Sequence, residues 1–165
     1  MQKFEEKLER SKGLAEIYEL VKEAVCFAIK RERAGLMLGL ADLGQQSGFF
    51  IGGFYAFGSN ILVMNKRILN RILNTRPELF KPYAFYILLH EYLHSLGFLD
   101  EEGVRNLTYS ISLKCFGEEH AVTQMAKDFS RFFPSIAFPD SNYSPPGEQI
   151  EIIKDFDKSY SAYIW

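Results

Sequence analysis

Pro82-Tyr-Ala-Phe-Tyr-Ile-Leu-Leu-His90-Glu91-Tyr92-Leu93-His94-Ser-Leu-Gly97 is the stretch around which the rest of the chain is organised. A proline suited to a first helical turn opens it and a glycine closes it, so the spacing predicts a helix over 82–97. At 100° per residue His90 and His94 lie about 40° apart, and Glu91 falls within the same arc of about 100°. Nearly every other residue of the stretch is apolar. A helix apolar on all sides belongs in the middle of a domain, where bare imidazoles and a carboxylate need partners. A metal ion supplies one; hydrogen bonds from the histidines to carbonyls are the plainer alternative.

His90-Glu91-x-x-His94 resembles the motif of the zincin clan of zinc metallopeptidases. The resemblance implies that His90 and His94 bind zinc through ring nitrogens and that Glu91 is the general base toward water. A second likeness lies upstream, where Gly58-Ser-Asn-Ile-Leu-Val-Met-Asn65 looks like the strand beside the zincin cleft. Together the likenesses span roughly residues 35 to 100. Zinc held by three protein ligands keeps a fourth position for water and lowers its pKa to about 7. A carboxylate beside that position can move the proton from water to the leaving amine.

The third ligand stays open. His90-Glu-Tyr-Leu-His-Ser-Leu-Gly97-Phe-Leu-Asp100 is similar in spacing to the metzincin subgroup, with Asp100 where most of those enzymes carry histidine. Asp100 is equally a good N-cap for a helix over about 101–115, with Glu101 and Glu102 as its acidic first turn. His120 is the last of only three histidines and follows a Phe116-Gly117 break that can return the chain toward the motif. Glu118 or Glu119 would give a gluzincin-like site, or else serve as helix-start charges. His120 is the first choice, with Asp100, Glu118 and Glu119 as alternatives.

At 165 residues and 47 % hydrophobic content the chain is sized for one domain with a proper core. A net charge of −2, with no basic cluster interleaved with aromatics, argues against nucleic acid. The charged start lacks the apolar core of a signal peptide, and the apolar stretch from Leu14 to Ile29 is broken by Glu16, Glu19, Lys22 and Glu23. No membrane association and a cytoplasmic location are therefore expected. Cys26 and Cys115 form no spaced framework, which fits a reducing compartment and two small buried side chains.

Leu14, Ile17, Val21, Ala24 and Ala28 recur at helical spacing, giving a first helix that ends near Arg33-Ala-Gly35. Strands are expected over 35–43, 49–57 and 61–64, with Gln45 to Gly48 as a loop. Asn65 is a fair N-cap for a short helix carrying Ile68, Leu69, Ile72 and Leu73, stopped by Thr75-Arg-Pro77. Further helices are expected from 101 and near Glu118. The expected class is α+β: a small mixed sheet of about three strands against helices, zincin-like, with an active-site helix. From about 134 the character changes, with four of the six prolines falling in 134–146. The aromatic end Tyr160, Tyr163 and Trp165 suggests an extended tail, 134–165, that wraps the domain.

Three functional classes follow. The first is a zinc-dependent metallopeptidase acting on a peptide or protein substrate. The second is a catalytically silent zincin-fold module that binds a metal or a partner, and the third is another zinc-dependent hydrolase.

Overall fold

The computed structural model describes residues 2–139, 143 and 150–153. Two helices lead, α1 (Gln2–Arg10) and α2 (Leu14–Ile29). The charged opening segment is thus itself helical: it buries Phe4 and Leu8 and leaves its glutamates and lysines exposed. The expected 14–28 pattern becomes α2, which ends earlier than expected because Lys30 adopts a left-handed conformation with φ 59°.

Strands follow in the order β1 (Met37–Ala41), β2 (Gln45–Gln46), β3 (Phe49–Ile51), β4 (Gly53–Tyr55) and β5 (Ile61–Asn65). The single strand expected over 49–57 is split at Gly52. A side chain there would lie 3.1 Å from the Tyr83 hydroxyl and 3.2 Å from Ile136 Cγ2, so two neighbours close on the bare backbone. The fold accordingly has two small mixed sheets rather than one. The larger has the order β4-β5-β1-β7, with β7 formed by Glu151–Ile153, and the smaller the order β2-β3-β6, with β6 formed by Ile136–Ala137. In the larger sheet β1 and β5 run parallel, while β4 and β7 are antiparallel edges.

The alternation of β5 shows why the sheet is covered on both faces. Leu62 and Met64 enter the main core with the helices, whereas Val63 joins a second cluster with Ala41, Leu43 and Ile51. Tyr143 and Ile150 pack onto that second cluster. Gly39 of β1 has no side chain because a Cβ there would run into Ile150 Cγ2. The glycine that weakens the strand signal in the sequence is what admits this neighbour.

Asn65 caps α3 (Lys66–Thr75), its side chain accepting from the Arg67 N–H at 3.1 Å. A 3-10 turn at Pro77–Leu79 then feeds α4 (Phe80–Ser95), whose residues 83–95 are all buried. Helix α5 (Glu101–Phe116) follows, then α6 (Ala121–Lys127) and α7 (Phe129–Phe132). Helix α4 is central, packing against α2, α5, α6, β4 and β5. A Cβ at Gly53 would lie 2.8 Å from Val63 O and 3.0 Å from Ile87 Cγ2, so this glycine lets α4 approach β4 closely.

Residues of the expected tail pair with both sheets. β6 lies parallel to β3, β7 is antiparallel to β1, and the Tyr143 hydroxyl donates to Leu43 O at 3.0 Å. Tyr160, Tyr163 and Trp165 lie outside the described residues. Cys115 is buried as expected, but Cys26 is exposed, and both are free thiols. Among the described residues no helix is long and apolar enough to cross a membrane.

Candidate metal centre

His90 and His94 sit one turn apart in the last two turns of α4, as the helical spacing requires. They are 0 % and 5 % exposed, and Glu91 is 3 % exposed, so all three are shielded from water by the surrounding helices and strands. Burial on this scale makes their polar contacts decisive.

The end of α4 builds the next part of the site. The Gly97 N–H bonds to His94 O at 3.0 Å and the Phe98 N–H to Leu93 O at 3.3 Å, with Gly97 at φ 104°. These two bonds and the left-handed glycine form a Schellman turn that reverses the chain. The turn leaves the Phe98 carbonyl 2.8 Å from His94 Nδ1. A carbonyl only accepts, so Nδ1 carries the proton and His94 Nε2 faces the site. Arg31 holds the same corner by donating to Leu96 O at 2.8 Å. Arg33 ties it to the β4–β5 connection, donating to Ser95 O at 2.7 Å, Ser59 O at 2.8 Å and the Tyr55 hydroxyl at 3.0 Å.

Asp100 then starts α5, accepting from the Gly103 N–H at 2.8 Å. With its own carboxylate engaged as the cap, Asp100 hands the inward position to the next residue. Glu101 Oε1 lies 2.6 Å from His94 Nε2 and Oε2 lies 3.0 Å from His90 Nε2. His90, His94 and Glu101 form a group whose candidate ligand atoms all lie within 4.8 Å of one another. Burial acts to raise the Glu101 carboxyl, but the hydrogen bonds to His90 and His94 outweigh it and hold the group at about 2. Burial acts to lower His94, and there the bond to Glu101 and the nearby carboxylate charges prevail, shifting it upward.

Glu91 points to a different neighbour. Burial raises its carboxyl above the ordinary range, although the charges of His90 and His94 and the Tyr55 backbone N–H oppose the shift. Tyr55 belongs to β4, an edge of the larger sheet, so the carboxylate sits between α4 and that strand. Phe57 stands edge-on to His94 at 5.9 Å and Phe138 stacks on His90 at 3.8 Å.

The third member of the cluster is therefore Glu101, and not His120 or any of its alternatives. His120 caps α6 through its own Nδ1, which accepts from the Val122 N–H at 3.1 Å, and its ring packs on Phe116. Its environment is that of Glu5 and Glu9 on α1, and burial lowers its pKa. Glu118 accepts from the Tyr109 hydroxyl at 3.1 Å and pairs with Lys127 at 3.3 Å, while Glu119 is exposed in the turn before α6. Glu101 was visible in the sequence as the first acidic residue after a helix cap. What disguised it is that such residues usually only complement the helix dipole.

Two imidazole nitrogens and one carboxylate oxygen are the donor set of a zinc site that keeps a fourth position open. The fit is supported by His94, whose Nδ1–H to a carbonyl is the outer bond that orients a ligating histidine. No family model, no curated protein and no solved structure matches the chain.

Proposed function

We propose that the chain is a zinc-dependent metallopeptidase with a zincin-like site, in which His90, His94 and Glu101 hold the metal and Glu91 is the general base. The carrying observation is the convergence of both Nε2 atoms on the Glu101 carboxylate, with a second buried carboxylate next to His90. A glutamate in the third place favours the gluzincin-like subgroup over the metzincin-like one. The position of β4 adds support, since it is an antiparallel edge strand packed on α4. In this reading β4, and not the 58–65 segment, would be the strand beside the cleft, because β5 lies inside the sheet.

Zinc, when bound, supplies Lewis acidity and a hydroxide nucleophile at neutral pH. Glu91 takes the proton released from water on a carboxylate oxygen. As the scissile C–N bond breaks, the water oxygen remains on the acyl carbon and Glu91 delivers the proton to the leaving nitrogen. Burial raises this carboxyl above the ordinary carboxylate range, which suits a group that must hold a proton transiently. His94, locked by the Phe98 carbonyl, and Glu101, at the first turn of α5, keep the ligand atoms in place.

One observation favours the silent metal-binding module instead: the His90 ring is covered by Phe138 and fully buried. A library of short unstructured peptides separates the two. The peptidase cleaves members of it, loses this activity to a chelator and regains it with zinc. Bound zinc without cleavage of any member assigns the module.

A further inference from the structure

We propose that Phe138 is a positioning residue for His90, delivered by β6, so that the seating of this strand on β3 and the metal affinity of the cluster are coupled. The inference rests on the metal-centre reading above. The two histidines are held by different means. His94 is fixed by its hydrogen bond to Phe98 O, whereas His90 Nδ1 is buried without a hydrogen-bond partner among the described residues. Among the described residues, therefore, no outer bond sets the orientation of the His90 ring.

Aromatic packing takes that role. The Phe138 ring lies over the imidazole with centroids 3.8 Å apart and planes inclined by 12°. This is already van der Waals contact, so rotating the imidazole out of plane drives its edge into Phe138. The same rotation would carry Nε2 away from Glu101, which it now meets at 3.0 Å. Phe138 is itself braced, with Phe129 at 5.5 Å and Tyr86 at 5.9 Å.

The backbone explains how a residue so far along the chain reaches the site. Phe138 follows directly on Ala137, which pairs with Ile51 and accepts from the Gly52 N–H at 3.3 Å. The Phe50 N–H donates to Ser135 O at 2.7 Å, which fixes the other end of the segment. Gly52, at which β3 passes into β4, lies between Tyr83 of α4 and Ile136 of β6. The ligand helix and the short strand thus share one backbone reference, and displacement of β6 removes the flat face from His90 without touching a ligand.

Zinc affinity measured by chelator competition on the full chain tests this. Phe138→Ala is expected to bind zinc roughly tenfold or more weakly, the loss typical of removing an outer-shell support. Phe138→Tyr, which keeps the flat face, should restore affinity to near wild type, and Phe138→Leu should fall between. The visible spectrum of the cobalt-substituted protein should change in Phe138→Ala and be unchanged in Phe4→Ala, a core substitution on α1. If Phe138→Ala does not fold, Phe138→Leu against Phe138→Tyr carries the comparison. Equal zinc affinity in Phe138→Leu and wild type overturns the proposal, as does an equal loss in Phe4→Ala. A wild type that takes up no zinc removes the metal-centre reading and this inference with it, a result distinct from either.

Discussion

The Phe98 carbonyl accepts from His94 Nδ1 at 2.8 Å because the turn ending α4 places it there. Gly97, at φ 104°, makes that turn, with Gly97 N–H to His94 O and Phe98 N–H to Leu93 O closing it. One residue without a side chain therefore governs the helix end, the orientation of a candidate ligand and the direction in which the chain leaves toward Glu101.

Gly97→Ala should accordingly do two things. Holding an alanine in a left-handed conformation costs about 1–2 kcal/mol, which thermal or denaturant unfolding would register. If the turn relaxes to avoid this cost, the Phe98 carbonyl leaves His94, and zinc affinity should drop by roughly 10- to 100-fold. A variant with unaltered zinc affinity would show that the turn serves the fold alone.

Replacing Glu101 by alanine should abolish stoichiometric zinc in metal analysis, whereas His120→Ala should retain it. Asp100→Ala removes a helix cap and should cost about 1 kcal/mol of stability while leaving most of the metal in place. Zinc retained by Glu101→Ala and lost from His120→Ala would require a rearranged site.

Glu91→Gln should keep the zinc and the fold and lower peptide hydrolysis by about 10²- to 10⁴-fold, the usual contribution of general acid-base catalysis. The measurement is kcat/KM on a short peptide at saturating zinc. Undiminished turnover would remove Glu91 from the mechanism while leaving the metal site standing.

The metal-free protein should be most stable on the acid side of neutrality. Glu101 is depressed from its ordinary 4.5 to about 2, so its contribution is present above 4.5 and is lost as pH falls through its folded value. His94 is raised above its ordinary 6.5, so its contribution is present below 6.5 and is lost as pH rises through its folded value. Glu91 is raised above its ordinary 4.5 by burial, so its contribution is present below 4.5 and is lost as pH rises through its folded value. Zinc uptake must displace the proton from His94 Nε2, so zinc affinity should increase as pH rises through the same range. Unfolding midpoints and zinc titrations across pH 4 to 9 check both slopes, and a metal-free protein most stable at alkaline pH would contradict the ion-pair geometry.

The parts of this protein that its sequence determines are those set within a few neighbouring residues. The 3.6-residue period alone puts His90, Glu91 and His94 on one arc of α4, whatever the rest of the chain does. Asn65 and Asp100 are caps because short polar side chains reach the first free N–H groups of α3 and α5, and both do so here. The β5 strand likewise follows from its own short apolar run, Ile61 to Met64, which suits a strand buried on both faces.

What only the tertiary structure decided depends on where distant segments meet. Glu101 and Glu102 are alike as sequence, but the Schellman turn and the Asp100 cap rotate Glu101 onto the histidines and leave Glu102 exposed. His120 has the scarcer chemistry, yet its packing on Phe116 and its bond to Val122 hold it on the α1 side. The split of 49–57 into two strands comes from α4 and β6 closing on Gly52, and Phe138 reaches His90 only because β6 pairs with β3. Periodicity and capping are local and short in range. The third member of the cluster and the cover over His90 are contacts between elements, and no local pattern specifies which of several equivalent side chains will make them.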